Sequence, residues 1–531
     1  MRRLSKPRYA LPRGTRDLLP DEMVKRAFVE RTIRAVFERY GFQEVKTPIF
    51  ETFDLFYLRS GEDIRKKMFV FRTGDGSEVV LRPELTAPVC RMIAMGELDL
   101  SQKPLRVFYT GQCFRYEEPQ AGRYREFWQA GLELMGSSHP EADAEVIAVA
   151  VRVLRELGLV GYVLRVGNVE MLRGFLKDNL VQEEYQNRIV TSLDSTTGSI
   201  SKLKLIVVKL RSKKELEKDD KEYLLTRAYE IEELKEKLIH ESAKSAIPET
   251  VLDSLAPDTQ VLQVDSGAMV NPVDITAFIE NKISEVKLIQ KVRWVYEGVR
   301  NDSGVVRLPE DVARILLDTA DLVGNREQIM AKARNLFQNS RTALRALDSF
   351  DQILDVLETY GVKDYVVDLS IARGLEFYTG TVFEIDFPLL GAQKQICGGG
   401  RYDKLVAEFG GPSTPATGFA FGFDRVVESL KRGGAALPEP TRVQIYVAPL
   451  EDESRPFAIR VTEQLREKGT KAEMDLMRRS LSENLAFASK LGIPYVIIIG
   501  RKEAKAETVT IRDMRTKEQK TARLEDLGEL S

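Results

Sequence analysis

Two strand-like segments joined by a short polar loop set the tightest limit on this fold. LRVFYTGQCFRYEE (105–118) and REFWQAGLELMG (125–136) flank the loop PQAGRY, and strands linked by so tight a turn pair antiparallel. FVFRTGDGSEVVLRP (69–83) reads as a further hairpin around Asp75-Gly76. A doubly wound parallel sheet is thereby disfavoured for this part, and the expected class is α+β, an antiparallel sheet flanked by helices.

The same reasoning divides the rest of the chain. Pro20-Asp21 opens a helix in which Val24, Ala27, Phe28, Ile33, Val36, Phe37 and Tyr40 recur at helical spacing. Residues 1–175 form the first part of one domain, and 176–360, with long charged stretches such as SKKELEKDDKEYLLTRAYEIEELKEKLIH, read as a mostly helical insertion. Sheet-like sequence resumes over 361–431 in DYVVDL, TVFEIDF, KQICGGG and ATGFAFGF. RGGAALPEPTR supplies a linker over 432–442, and 443–531 alternate strand and helix as a small α/β domain.

Composition removes several classes of chemistry. With 43% hydrophobic and 30% charged residues over 531 positions the chain is globular and multi-domain. A net charge of -2 gives no global attraction to nucleic acid, so such a partner must meet local basic patches. Three cysteines without CxxC spacing fit a reducing compartment, and the N-terminus lacks a signal-peptide core, so a cytoplasmic location is expected. Only two histidines occur, His139 and His240, which disfavours a Ser-His-Asp hydrolase or a histidine-ligated metal. Arginines and carboxylates must carry any catalysis.

Strand alternation then places the candidates. Gln129, Gly131 and Glu133 share one face, opposite Trp128, Ala130, Leu132 and Leu134, and Gly131 leaves room for something to lie on the sheet. Gly111, Cys113, Arg115 and Glu117 share a face of the neighbouring strand. In LRPELTAP, Glu84 and Thr86 stand at a helix start, either as a cap or as acceptors for an amine. CGGGRYD (397–403) is neither a GxGxxG fingerprint nor a P-loop, yet three glycines let backbone lie against a flat ligand. Arg425, in the first turn after a glycine-spaced strand, can reach phosphates or close a salt bridge.

Together these segments resemble the class II aminoacyl-tRNA synthetases, and within them the histidyl-tRNA synthetase family. GFQEVKTPIFE after the first helix, FRYEEPQAGRYREFWQAGLELMG (114–136) and GFAFGFDRVV (418–427) are similar to the three class motifs, and RGLEFYTGTVFE (373–384) with GGGRYD (398–403) to the histidine signature. The resemblance implies histidine activation by ATP through a histidyl-adenylate, then transfer to histidine tRNA, with AMP and diphosphate released. Arg373, Arg115 and Arg425 are the implied catalytic cations. ATP is implied to meet Arg115, Glu117, Arg123 and Arg425; histidine to meet Glu84, Thr86, Gln129, Glu133, Phe377, Tyr378 and Tyr402; the tRNA acceptor end to meet Gln120. Mg2+ is implied with ATP, without identifiable protein ligands. A homodimer is implied, and residues 443–531 are implied to bind the anticodon. Phe377 stands where relatives carry tyrosine, Glu376 where they carry aspartate, and Glu118 where many bacterial relatives carry arginine. The rival implied by the same likeness is a non-catalytic regulatory subunit of histidine biosynthesis. That paralogue usually lacks the C-terminal domain and the phosphate-binding arginines, which are present here.

Overall fold

The computed structural model describes residues 9–57, 67–101, 103–117, 124–183, 186, 189–190, 310–371, 377–439 and 443–523. The chain divides into two compact units, the larger built on Arg26–Leu437 and the smaller on Pro438–Ser531. In chain order the larger unit carries β1 (Gln43–Glu44), β2 (Phe50–Thr52), β3 (Phe69–Arg72), β4 (Glu78–Leu81), β5 (Leu105–Phe114), β6 (Glu126–Met135), β7 (Val163–Asn168), β8 (Val323–Gly324), β9 (Val366–Asp368), β10 (Thr381–Asp386), β11 (Gln395–Arg401) and β12 (Ala416–Gly422).

The described strands form a nine-stranded sheet in the order β1-β5-β6-β12-β11-β10-β7-β9-β8, and β2-β4-β3 form a separate sheet of three. The centre is antiparallel: β6 pairs with β5 on one side and β12 on the other, and β11 joins β12 to β10. Parallel pairs occur only toward the margins, between β1 and β5 and between β7 and β9. This is the antiparallel, helix-flanked architecture expected from the short loops.

Each face of the sheet has its own apolar layer. On one face Ala130, Leu132 and Leu134 of β6 bury with Val29, Ile33, Val36 and Phe37 of the helix Pro20–Arg39 and with the helix Pro140–Glu156. That helix can sit there because Ala144, Ile147, Ala148, Val151 and Leu154 give it a broad apolar side. The helix Arg341–Thr359, expected to lie in the insertion, contributes Ala343, Leu347, Phe350 and Leu354 to this same layer. Its N-cap Ser340 donates Oγ to the Asp178 carboxylate at 2.7 Å, at the end of Val169–Asp178, which stitches the returning chain to the sheet's helical layer. Residues 191–309 of the expected insertion lie outside the described residues. On the opposite face a smaller layer holds Leu85, Val89, Tyr109, Cys113, Val382 and Tyr402 beneath the helix Thr86–Ala94.

The smaller unit is a five-stranded sheet ordered β14-β13-β15-β16-β17, built from β13 (Ile445–Pro449), β14 (Ala472–Met474), β15 (Tyr495–Ile499), β16 (Thr508–Asp513) and β17 (Gln519–Arg523). β13 runs parallel to both neighbours, through the helices Arg455–Glu467 and Leu481–Lys490.

Candidate active site

The polar residues of β5 and β6 meet over the second, smaller apolar layer. Register sets Gly111 opposite Gln129, Tyr109 opposite Gly131 and Val107 opposite Glu133, while Gly418 of β12 pairs with Glu133 from the other side. Gly418 is required there. A Cβ at that position would overlap the Glu133 carboxylate, so the acid lies flat across the glycine.

Glu133 is fully buried and is the centre of the arrangement. Its Oε1 accepts hydrogen bonds from Thr86 Oγ1 and Tyr109 Oη, each at 2.8 Å, and its Oε2 accepts one from Tyr402 Oη. Burial pushes its pKa from an ordinary 4.5 up to about 7, while the surrounding hydroxyls pull the other way. A buried carboxylate held by hydroxyls keeps lone pairs for a further donor. The wall beside it is aromatic: Phe377 stands edge-on to Tyr402 with centroids 5.6 Å apart and tilts against Tyr378 at 4.9 Å.

Sequence reasoning missed Tyr109, although the signal was present. It has the same strand parity as Gly111, Cys113 and Arg115. Its ring also changes the reading of Gly131, because a Cβ built there would stand 2.8 Å from Tyr109 Oη. The space left by this glycine is occupied by the tyrosine rather than kept open for a ligand.

Glu84 takes the cap role. Its Oε2 accepts from the Thr86 N–H at 2.6 Å and its Oε1 from the Ala87 N–H at 3.0 Å, closing the first turn of the helix Thr86–Ala94. Its pKa is raised, by burial first, with those N–H groups opposing. Gln129 Oε1 accepts from Cys113 Sγ at 3.2 Å, and burial pushes that thiol up to about 12. Arg115 donates Nε to the Pro83 carbonyl at 2.9 Å, packs over Phe127, and its charge reaches Glu84 and Cys113. Glu117 is buried, with Lys67 Nζ 4.0 Å from its carboxylate. Arg425 lies along Gly422, the register partner of Gln129, and donates Nη1 to the Gln395 carbonyl at 2.6 Å. The strip from Arg115 through Gln129 to Arg425 therefore crosses three adjacent strands. Arg373, Arg123 and Gln120, with Glu118 and Glu376, lie outside the described residues.

Two positioning groups were also not anticipated. Asp424 accepts from Arg26 at 2.6 Å, Arg16 at 2.9 Å and the Trp128 N–H at 2.8 Å, tying the first helix and β6 to the helix that carries Arg425. Buried Arg401 bonds Asp143 at 2.8 Å, Asp403 at 3.0 Å and the Ser137 carbonyl at 3.1 Å, which fixes the backbone on both sides of Tyr402. Among the described residues no group of three His, Cys, Asp or Glu side chains could hold a metal.

Known proteins resemble this chain in sequence and in fold. The histidyl-tRNA synthetase family model matches residues 14–269 and 297–426, and an anticodon binding domain model matches 444–530. A histidine–tRNA ligase of Thermococcus kodakarensis is 35% identical over 513 residues, covering 96% of this chain and 95% of that protein. One from Methanocaldococcus jannaschii is 34% identical, covering 98% of both. The crystal structure of a histidyl-tRNA synthetase from a Nostoc species superposes with a TM-score of 0.65 at 22% identity over 99% of each chain, which speaks to the fold. One from Bacillus halodurans, described as an ATP phosphoribosyltransferase regulatory subunit/histidyl-tRNA synthetase, has the same fold at a TM-score of 0.62, 23% identity and coverage of 94% of this chain and all of that one. On the family match and the full-length relatives, this chain belongs to the histidyl-tRNA synthetase family.

Proposed function

We propose that the chain activates L-histidine with ATP and transfers it to histidine tRNA, using the strip between Arg115 and Arg425 as the phosphate side and the Glu133 cage as the amino-acid side. The observation that carries this is the cage itself: a buried carboxylate fixed by Thr86, Tyr109 and Tyr402 and walled by Phe377 and Tyr378. An imidazole offers a flat ring for the wall and an N–H for the acid. A side chain lacking either leaves a buried acceptor unpaired, which costs about 1–3 kcal/mol and supports discrimination.

In the first step histidine's carboxylate oxygen bonds to the α-phosphorus and the bond to pyrophosphate breaks. Negative charge gathers on the phosphate oxygens, so fixed cations lower the barrier and no histidine base is needed. Arg115 and Arg373 are assigned to the α-phosphate, Arg425 and Arg123 to the outer phosphates, and Glu117 to the adenine. Mg2+ arrives on the ATP as part of that substrate. Glu84, already capping its helix, and Thr86 and Gln129 are assigned to the α-amino end. In the second step a hydroxyl of the terminal tRNA ribose takes the histidyl group and AMP leaves, with Gln120 near the acceptor end.

Residues 443–531 are assigned to the anticodon, a role supported by the matched domain. We assign a homodimer on the face of the β2-β4-β3 sheet that carries Phe50, 53% exposed, and Phe71, 42% exposed, whose rings are in contact. No described helix is long and apolar enough to cross a membrane, and the proposed substrates support a cytoplasmic location. The regulatory-subunit reading is weaker because full-length relatives at 34–35% identity are ligases. Arg373→Ala should abolish histidine-dependent pyrophosphate exchange while leaving the circular dichroism spectrum unchanged; retained exchange would remove Arg373 from the phosphate site.

A further inference from the structure

The helix Val169–Asp178 reaches the amino-acid side of the site. Its apolar residues Val169, Met171, Leu172, Phe175 and Leu176 are buried, and at Gly174 it lies so close to the helix Arg341–Thr359 that a Cβ would stand 2.9 Å from Thr342 Cγ2. Asn168 caps its first turn by accepting the Met171 N–H at 3.0 Å, and the Asp178 carboxylate at its far end accepts from Ser340 and Thr342. Fixed at both ends, it is a rigid mount.

What it mounts is the chain from Tyr378 to Gly380, which leads into β10. Arg173 Nη2 donates to the Tyr378 carbonyl at 2.9 Å, and the Val169 N–H donates to the Gly380 carbonyl at 3.0 Å. The residue between them is held from the other side: the Thr379 N–H donates to the Arg401 carbonyl at 2.7 Å, and Thr379 Oγ1 accepts the Asp403 N–H at 3.1 Å. Arg401 and Asp403 flank Tyr402, so the two tyrosines share one backbone frame, and Arg173 is the side chain that closes it at Tyr378. The Tyr378 ring has little slack, being 6% exposed and so near Gly400 that a Cβ there would lie 3.0 Å from its Cδ1. A shift of the carbonyl therefore becomes a shift of the ring.

An apolar residue would suit the helix better. Arg173 stands between Leu172 and Phe175, and burial lowers its pKa, with the Glu183 and Glu408 carboxylates opposing. Both carboxylates are exposed, Glu183 at 68%, and their hydration leaves them no need of a buried cation. Burying a charge where methionine would fit costs stability, and what the guanidinium adds is a directed donor on the Tyr378 carbonyl.

We infer that Arg173 is a positioning residue for the amino-acid substrate: by fixing the Tyr378 carbonyl it sets where the Tyr378 ring closes the pocket, and so sets the affinity for histidine. This rests on the reading of the Glu133 cage as the histidine pocket.

The test is histidine-dependent pyrophosphate exchange by the full-length enzyme. Arg173→Met, which fills similar space without the donor, should raise KM for histidine about tenfold and leave kcat and KM for ATP within about twofold. Its Tm should stay within about 5 °C of wild type, since no buried carboxylate loses a partner. Arg173→Lys, which keeps a donor for the carbonyl, should bring KM for histidine back to within about threefold of wild type. An unchanged KM for histidine in Arg173→Met overturns the inference, as does an equal rise for ATP or a lysine variant no better than the methionine one. A methionine variant that melts below that window also overturns it, because Arg173 would then hold the fold rather than the ring. A wild-type enzyme without histidine-dependent exchange overturns the pocket reading beneath it.

Discussion

At the scale of single residues, Glu133 couples the fold to the chemistry. Its pKa of about 7 against an ordinary 4.5 means that the folded protein holds a proton the unfolded chain releases. That contribution to stability is complete below about pH 4.5 and lost as pH rises through about 7, a swing on the order of 3 kcal/mol. Melting temperature should fall across this window, and Glu133→Gln, which cannot ionise, should flatten the fall; parallel pH profiles for the two proteins would show that another group titrates. Strand parity identified Glu133 and Gln129 from sequence, because alternation fixes which face a residue joins. Tyr109 obeys the same parity but looks like core. Only the register, which sets it opposite Gly131, shows that its hydroxyl reaches Glu133. Phe377 changes meaning too: with Thr86, Tyr109 and Tyr402 already on the acid, its contribution is a ring face, and the hydroxyl it lacks is not needed to hold Glu133.

At the scale of elements, the site depends on how closely β6 and β12 lie. Gly418→Ala places a methyl where the Glu133 carboxylate lies, so it should raise KM for histidine by at least tenfold with little change in KM for ATP. Equal effects on both constants would indicate general disruption of the sheet. Short loops and Asp75-Gly76 made the antiparallel pairing legible. Side-chain tethers were not legible, since Asp424 meets Arg16 and Arg26 about 400 positions away and no local pattern announces such a contact. The helix Arg341–Thr359 shows the other limit. Its charged, glycine-poor texture matches the insertion before it, but its apolar stripe packs on the core helices. Texture reports the exposed face of a helix, and the buried face decides which core it joins.

At the scale of the whole molecule, two units are assigned different parts of the work: one the proposed phosphate strip and imidazole cage, the other the far end of the tRNA. Removal of residues 443–531 should spare histidyl-adenylate formation and lower tRNA charging about a hundredfold; equal loss of both activities would mean that the smaller unit also supports the catalytic one. The linker composition and the strand–helix alternation of 443–531 made this division readable, while a net charge of -2 hid any RNA-binding surface within local patches. The most direct test of the central claim is ATP–pyrophosphate exchange by the purified enzyme across all twenty amino acids. Exchange with L-histidine alone, at least a hundredfold above every other amino acid, is the expected result. No exchange with histidine, or faster exchange with any other amino acid, would contradict it.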